Sequence, residues 1–248
     1  MEWRERNGLR WLAAELPDGA EAAFSTRTGG TSEAPFESLN LAILTGDDPE
    51  AVRENRHRLA GAYGLEPERV VIARQVHGAE LVVHDGPQDP STYAEPRSAD
   101  PPERDGHVIR EPELAALVFV ADCLPVALAG EGAVTMLHCG WRGLAGGIVE
   151  RGVEAVSASA AAVGPGIGPC CYEVGEEVLA RFLPLGESVA KGRMLDLPEV
   201  ARLLLERAGV ERIETAGNCT SCEPEFFFSH RRDGAKTGRQ GGLVWRSA

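Results

Sequence analysis

The chain has 248 residues, 43% hydrophobic and 25% charged, an ordinary globular composition that excludes a fibrous or disordered protein. Its formal net charge of −13 argues against a long nucleic acid as partner, and no apolar run reaches the roughly 18 residues that a membrane span needs. Met1 to Trp11 carries Glu2, Arg4, Glu5 and Arg10 in place of the apolar core of a secretion signal, so a cytoplasmic location is expected. One domain over residues 1–248 is expected, since no linker divides the chain.

In chain order, Glu21 to Thr26 reads as a short strand that enters a Gly-rich loop, Arg27 to Ser32. Backbone N–H groups and Arg27 of that loop could cradle an anion, although the spacing is not that of a P-loop. A helix follows, capped by Asp47 or Asp48 with Pro49 at its first position, Val52, Leu59 and Tyr63 on one side and Gly64 as its stop. His57 in this helix is expected to be a solvated surface residue. Val70 to Ala73 and Leu81 to Val83 look like strands around Arg74-Gln75-Val76-His77-Gly78. Asp85 to Arg104, rich in Pro, Asp, Glu and Ser, is expected to be a mobile loop. No partner suggests itself for His84, and His107 is ambiguous between the site and the core.

Two further apolar runs, Ala115 to Ala121 and Ala133 to Leu137, end on Asp122-Cys123 and on His138-Cys139. Buried strands that end on reactive side chains are a common way to build a site. His77, Cys123 and His138 are therefore expected to converge on one metal ion. Cys139, one residue past a strand-borne histidine, should point the other way and be structural. Two histidines and a cysteine suit zinc or copper and leave a fourth tetrahedral position open. The separations, 46 residues from His77 to Cys123 and 15 from Cys123 to His138, match no compact zinc-finger spacing. Two other readings of the same residues stay open: Cys123 as a nucleophile with a histidine base, or Cys123 and Cys139 as inert core residues.

Beyond this stretch, Trp141 to Val156 reads as one helix whose N-terminus and Arg142 would face the site and favour an anion. Gly164 to Val174 is a stiff Gly- and Pro-rich loop containing Cys170-Cys171, a poor chelating pair. Helices are expected over Glu176 to Phe182 and Pro198 to Ala208, with Gly209 as a stop, and a strand over Ile213 to Ala216. Cys219-Thr220-Ser221-Cys222 is a lone CxxC without a matching second pair, so structural cysteines or an adventitious disulfide are expected there. Phe226 to Phe228 suggests a buried strand that holds a basic loop in which Arg231, Arg232 and Arg239 could recognise phosphate or a sugar edge.

Seven motifs occur in order: FSTRTGG (Phe24 to Gly30), SLNL (Ser38 to Leu41), RQVHG (Arg74 to Gly78), ADCLPV (Ala121 to Val126), HCGWRG (His138 to Gly143), GPGIGPCCYEVG (Gly164 to Gly175) and SHRRDGAKTGRQ (Ser229 to Gln240). In these the sequence resembles, over nearly its whole length, the family once called laccase-domain or multicopper polyphenol oxidases and now regarded as multifunctional purine nucleoside enzymes. The resemblance implies an α/β fold with mixed sheets sandwiched between helices, and a zinc-centred pocket with His77, Cys123 and His138 as ligands. It also implies phosphorolysis of adenosine, inosine and methylthioadenosine, and deamination of adenosine to inosine. Purine nucleosides and phosphate would then be the partners. For deamination, a metal-activated water would attack purine C6 while Asp122 or a nearby acid moves protons. Arg27, Asn40, Gln75, Arg142 and Arg231 are the candidates to contact nucleoside or phosphate. A copper-dependent phenol oxidase is less favoured, because the multiple His-x-His pairs of a true multicopper site are missing.

Overall fold

A computed structural model describes residues 1–89, 91–96 and 98–247. The chain begins with a meander, β1 (Glu2–Arg6), β2 (Leu9–Glu15) and β3 (Ala20–Ser25), followed by α1 (Pro49–Tyr63). Short strands β4 (Val70–Val71), β5 (Leu81–His84) and β6 (Gly106–Ile109) lead to three longer ones, β7 (Ala115–Val120), β8 (Leu124–Gly130) and β9 (Ala133–Cys139). Then come α2 (Trp141–Ala145), α3 (Ile148–Val156), β10 (Ala160–Val163) and α4 (Glu176–Phe182). The hairpin β11 (Ala190–Lys191) and β12 (Met194–Leu195), α5 (Leu197–Arg207), β13 (Arg212–Thr215), α6 (His230–Asp233) and β14 (Gln240–Arg246) complete the order.

Two six-stranded sheets result, β1-β2-β3-β14-β7-β4 and β13-β10-β8-β9-β6-β5. Both are mixed: β4 runs parallel to β7, β5 to β6 and β10 to β13, while the remaining pairs are antiparallel. The sheets pack face to face. Leu12, Phe24, Val118 and Val244 of the first meet Ala127, Ala129, Val134 and Met136 of the second. The outer face of the second sheet carries α3 and α5, where Leu128 and Leu137 pack with Val149, Val153 and Leu205. The outer face of the first carries α1, where Leu59 and Ala60 share a core with Leu117 and Leu243. Helices thus cover both outer faces of a two-sheet sandwich, the arrangement that the resemblance implies. Each Leu or Val sealed in these layers contributes about 1.5–3 kcal/mol of burial.

Local physics explains most element boundaries. The Asp48 carboxylate accepts from Glu50 N, Pro49 opens α1, and Gly64 closes it at φ 75°. α4 spans the expected Glu176–Phe182, and α5 begins one residue before the expected start. The helix expected over Trp141 to Val156 is in fact broken: Gly147 takes φ 85° and separates the five-residue α2 from α3. β8 and β14 are buried on both faces, so they show no alternation and do not stand out in the sequence. Phe226 to Phe228 leaves a turn as irregular chain and forms no strand, although Phe227 and Phe228 are fully buried.

The Asp85 to Arg104 loop, expected to be mobile, is anchored: buried Tyr93 donates its hydroxyl to Arg56 O, and Arg56 Nη1 donates back to Thr92 O and Tyr93 O. Pro90 and Arg97 of that loop lie outside the described residues. His57 is half-buried against this loop, its Nε2 3.3 Å from Ala94 O, and not on the open surface. No helix among the described residues is long and apolar enough to cross a membrane.

His84 and His107 find each other. On adjacent β5 and β6, His84 Nε2 lies 2.9 Å from His107 Nδ1, a contact in which one neutral ring donates and the other accepts. Burial pushes His84 down to about 4 against the opposing pull of Asp85; burial and then the His84 neighbour push His107 down to about 3, with Asp105 opposing. Both folded values lie below the roughly 6.5 of a free histidine, so the unfolded chain takes up protons first. The pair's stabilisation is complete above about pH 6.5 and is lost as pH falls through about 4 towards about 3. Denaturant titrations of the parent are expected to show stability falling across that window by up to about 3 kcal/mol. His84→Asn combined with His107→Leu should flatten this fall, and an unchanged slope would assign it to carboxylates instead.

Candidate metal centre and cleft

His138 sits on β9 opposite Pro125 of β8 and shares the inter-sheet face with Val134 and Met136. Its neighbour Cys139 turns into the helix-side core, where it is fully buried and its thiol is pushed well up by burial. This is the placement that strand alternation predicts. Cys123 closes the turn after β7, one residue before β8 begins. His77 lies in the loop after β4 at φ 60°, a left-handed conformation unusual for a residue with a side chain.

One carboxylate holds this arrangement. Asp105, at the entry to β6, is fully buried and accepts the N–H groups of Val76, His77 and Gly78 at 3.1, 2.9 and 2.7 Å. Its Oδ1 also accepts from His138 Nδ1 at 2.8 Å, which leaves the Nε2 edge of that ring for a ligand. Burial works against the charge, yet His138 and the backbone donors keep the Asp105 pKa below the usual carboxylate range. Gly140 completes the fit: a Cβ there would stand 2.9 Å from Cys123 Sγ and 3.3 Å from His77 Cδ2. The donor atoms of His77, Cys123 and His138 all lie within 4.8 Å of one another.

The thiol and ring polarise each other. Burial alone would raise Cys123, but the charge and hydrogen bond of His138, helped by His77, bring it down to about 6. Burial would lower His138, but Cys123 and Asp105 raise it to about 9. The group therefore favours a thiolate beside positive charge, as a metal ligand or an activated nucleophile requires.

A cavity of about 750 Å³ opens over these residues, within the roughly 300–1,000 Å³ of small-molecule sites. Its cationic lining includes Arg142, Arg231 and Arg239. The Arg142 guanidinium stacks on Trp141 and makes no hydrogen bond or ion pair to protein among the described residues. Arg231 lies over the Tyr172 ring, with Nη1 donating to Cys171 O and Glu173 O. Arg239 is half-buried, donates to Thr237 O and Gly238 O, and has its pKa lowered by burial, which Asp122 and Cys123 oppose. Phe119, Ile72 and Tyr172 supply apolar wall.

Other candidates have structural duties. Asp122, at φ 90°, has both oxygens engaged, Oδ1 by Thr220 Oγ1 at 2.7 Å and Oδ2 by Arg231 N at 2.6 Å. It lines the cleft and ties the Thr220 loop to the start of α6. Gln75 also lines the cleft, but its amide is spent on the Phe119 backbone in both directions, at 2.7 Å each. Asn40 is fully buried and ties Ala42, Thr45, Asp47 and Arg239 N together, so it offers substrate nothing. Arg27 is outside the cleft lining: its guanidinium clamps Glu37 O and Pro224 O and lies 4.6 Å from the Phe228 ring centroid. In the Gly-rich loop around it, the N–H groups of Gly30, Thr31 and Ser32 all donate to protein oxygens. The helix dipole expected at the site is reduced to that of five-residue α2.

Two residues that matter here carry little sequence signal. Asp105 shows only as an acid before a short buried strand. Arg56 looks like a surface helix residue, yet it is buried, lines the cavity and donates to Leu41 O. Cys170-Cys171, in sequence a poor chelating pair, and the lone CxxC of Cys219 and Cys222 also come together, with donor atoms within 4.8 Å of one another.

A two-sheet α/β sandwich with an open His-Cys-His group at the floor of a cationic cleft defines a class of small-molecule-binding protein with a candidate metal centre. Residues 21–247 match the family described as multi-copper polyphenol oxidoreductase laccase, and the chain belongs to that family. Similar curated proteins are purine nucleoside phosphorylase YfiH of Shigella flexneri, 37% identical over 93% of this chain and 95% of its own, and purine nucleoside phosphorylase YlmD of Geobacillus stearothermophilus, 38% identical over 95% and 94%. The crystal structure of YlmD from Geobacillus stearothermophilus superposes with a TM-score of 0.88 at 35% identity, covering 99% of this chain and 98% of that one. The Bacillus licheniformis hypothetical protein YfiH gives 0.89 at 32%, covering 99% of both.

If Asp105 orients both histidines, Asp105→Asn should weaken zinc binding at the site that His77→Ala abolishes by about 10–100-fold, read by chelator competition. An affinity equal to the parent's would mean that the histidines hold their places without it.

Proposed function

We propose that the chain is a zinc-dependent purine nucleoside enzyme that cleaves adenosine, inosine and methylthioadenosine with phosphate and also deaminates adenosine to inosine. The observation that carries this reading is the cationic, part-apolar cleft built directly over an open three-donor group; the names of the similar proteins support it. The donor set fits zinc: two imidazoles and one thiolate leave a fourth position, and Asp105 supplies the carboxylate that commonly backs a ligating histidine. The same donors would accept copper. A multicopper centre needs more imidazoles than this group offers, and His84 and His107, which contact each other, lie outside it.

His77, Cys123 and His138 would hold the ion, which when bound supplies Lewis acidity at the cleft floor. Phe119, Ile72 and Tyr172 offer the apolar surface on which a purine can lie. Arg142, Arg231 and Arg239 bind phosphate and orient it. In phosphorolysis a phosphate oxygen forms a bond to ribose C1′ as the bond from C1′ to purine N9 breaks, and the purine leaves with a proton taken up on the base. In deamination water adds at purine C6 and ammonia leaves. Asp122 acts in both by keeping the Arg231 backbone and the Thr220 loop in place, as a positioning residue.

The assay is adenosine with and without inorganic phosphate. Ribose 1-phosphate formed only with phosphate supports phosphorolysis, and inosine formed without it supports deamination. His77→Ala, Cys123→Ala and His138→Ala should each lower turnover by more than the roughly 10–100-fold typical of losing a supporting residue. Arg142→Ala should raise KM for phosphate about tenfold or more, as expected for one charge-assisted hydrogen bond of about 1.5–3 kcal/mol. Full activity and metal content in all three ligand variants would overturn the reading. Activity that survives chelation but not thiol alkylation would favour a metal-independent cysteine hydrolase.

A further inference from the structure

The four remaining cysteines apart from the centre and Cys139 form a second cluster, next in the chain to Tyr172 of the cleft wall. Cys170 and Cys171 come from the Gly- and Pro-rich loop, Cys219 and Cys222 from the loop after β13. Extended, adjacent cysteines would face opposite ways, but the first loop is coiled into a turn in which Cys171 N and Tyr172 N both donate to Gly168 O. Both thiols thereby reach the same place: Cys170 Sγ lies 3.3 Å and Cys171 Sγ 3.4 Å from Cys222 Sγ. All four sulfurs lie within 4.8 Å of one another. Four thiolates around one ion at about 2.3 Å are separated by roughly 3.8 Å, so the quartet has the size of a single-ion site and is too tight for an iron–sulfur cluster.

The surrounding backbone suits thiolates. Gly168 N donates to Cys219 Sγ at 3.3 Å, and a Cβ at Gly168 would already touch Cys170 and Cys219. A tetrathiolate around a divalent ion carries excess negative charge, and two guanidinium groups of α6 reach the cysteine loops: Arg231 donates to Cys171 O, and Arg232 to Thr220 O and Ser221 O.

We propose that Cys170, Cys171, Cys219 and Cys222 bind one zinc-class divalent cation as a closed, structural tetrathiolate site, separate from the His77, Cys123 and His138 group. Binding releases the thiol protons to solvent, and the exposed Cys170 and Cys222 give the ion its way in. The consequence reaches the cleft. Cys171 is followed by Tyr172 of the cleft wall, and Thr220, between the two cysteines of the second loop, holds Asp122 through its hydroxyl. Thr220 N also donates to Gly166 O, and Ile167 N to Asp122 O. An ion that joins the two cysteine loops therefore fixes the wall on which Tyr172 and Arg231 stand.

The test uses full-length protein made in zinc-replete medium and kept reduced, with metal counted per chain. Cys170→Ser/Cys222→Ser, at two exposed positions, should hold one equivalent less than the parent whatever the occupancy of the other site. The complementary variant, His77→Ala/Cys123→Ala/His138→Ala, should keep one equivalent, and cobalt substituted into it should show the charge-transfer absorption of a four-sulfur tetrahedral site. A chelator should lower the melting temperature of this complementary variant and leave that temperature unchanged once Cys170→Ser/Cys222→Ser is added. Equal stoichiometry in the parent and Cys170→Ser/Cys222→Ser would overturn the proposal. So would a peptide map of the reduced-handled parent that joins Cys222 to Cys170 or Cys171 by a disulfide.

Discussion

The Asp105 carboxylate is the constraint on which the candidate centre depends. A buried negative charge is costly unless its lone pairs are filled. Here three consecutive backbone N–H groups and the His138 ring fill them. In return, the charge bends Val76 to Gly78 into a turn, holds His77 at positive φ and fixes which His138 nitrogen is turned away from it. Two segments that are distant in sequence, one a loop and one a strand, are thereby set by a single group.

Rigid sheets and small residues do the rest. The inter-sheet face of β9 carries His138 at its end, and the register with β8 brings the turn containing Cys123 alongside. Gly140 leaves the room that Cys123 and His77 occupy, and Gly166, where a Cβ would fall 2.9 Å from Asp122 O, lets the next loop close over Asp122. Left-handed backbone at both His77 and Asp122 marks the places where this packing overrides local preference, as is common at functional sites.

Polar residues in the same motifs divide their labour. Arg27, Asn40, Gln75 and Asp122 spend their hydrogen-bonding groups on backbone and side-chain atoms of the protein, and so act as fasteners for loops that have no regular secondary structure. Among the described residues the Arg142 guanidinium has no such partner beside the cleft, and Arg231 and Arg239 use carbonyl oxygens and no carboxylate, so their charge stays available to an anion. That distinction between a spent and an unspent polar group separates architecture from chemistry more clearly than residue type does.

Sequence by itself determined what short-range physics controls. Asp48, Pro49 and Gly64 bound α1, the apolar stripes place α4 and α5, and apolar runs ending on Cys123 and His138 single out two of the three candidate ligands. Strand alternation turns Cys139 away from them. Tertiary structure alone decided the rest, because the deciding contacts join residues far apart in the chain. Asp105 is a lone acid until His77 and His138 surround it, and Arg56 is a surface helix residue until the loop at Tyr93 covers it. β8 and β14 lack a pattern because both their faces are buried. Cys170-Cys171 and Cys219-x-x-Cys222 are each a poor ligand pair, and only the pairing of β10 with β13 carries the two loops to one point. A period of two or of 3.6 residues is written locally, whereas the closure of a loop about 50 residues long is settled by the packing of whole sheets.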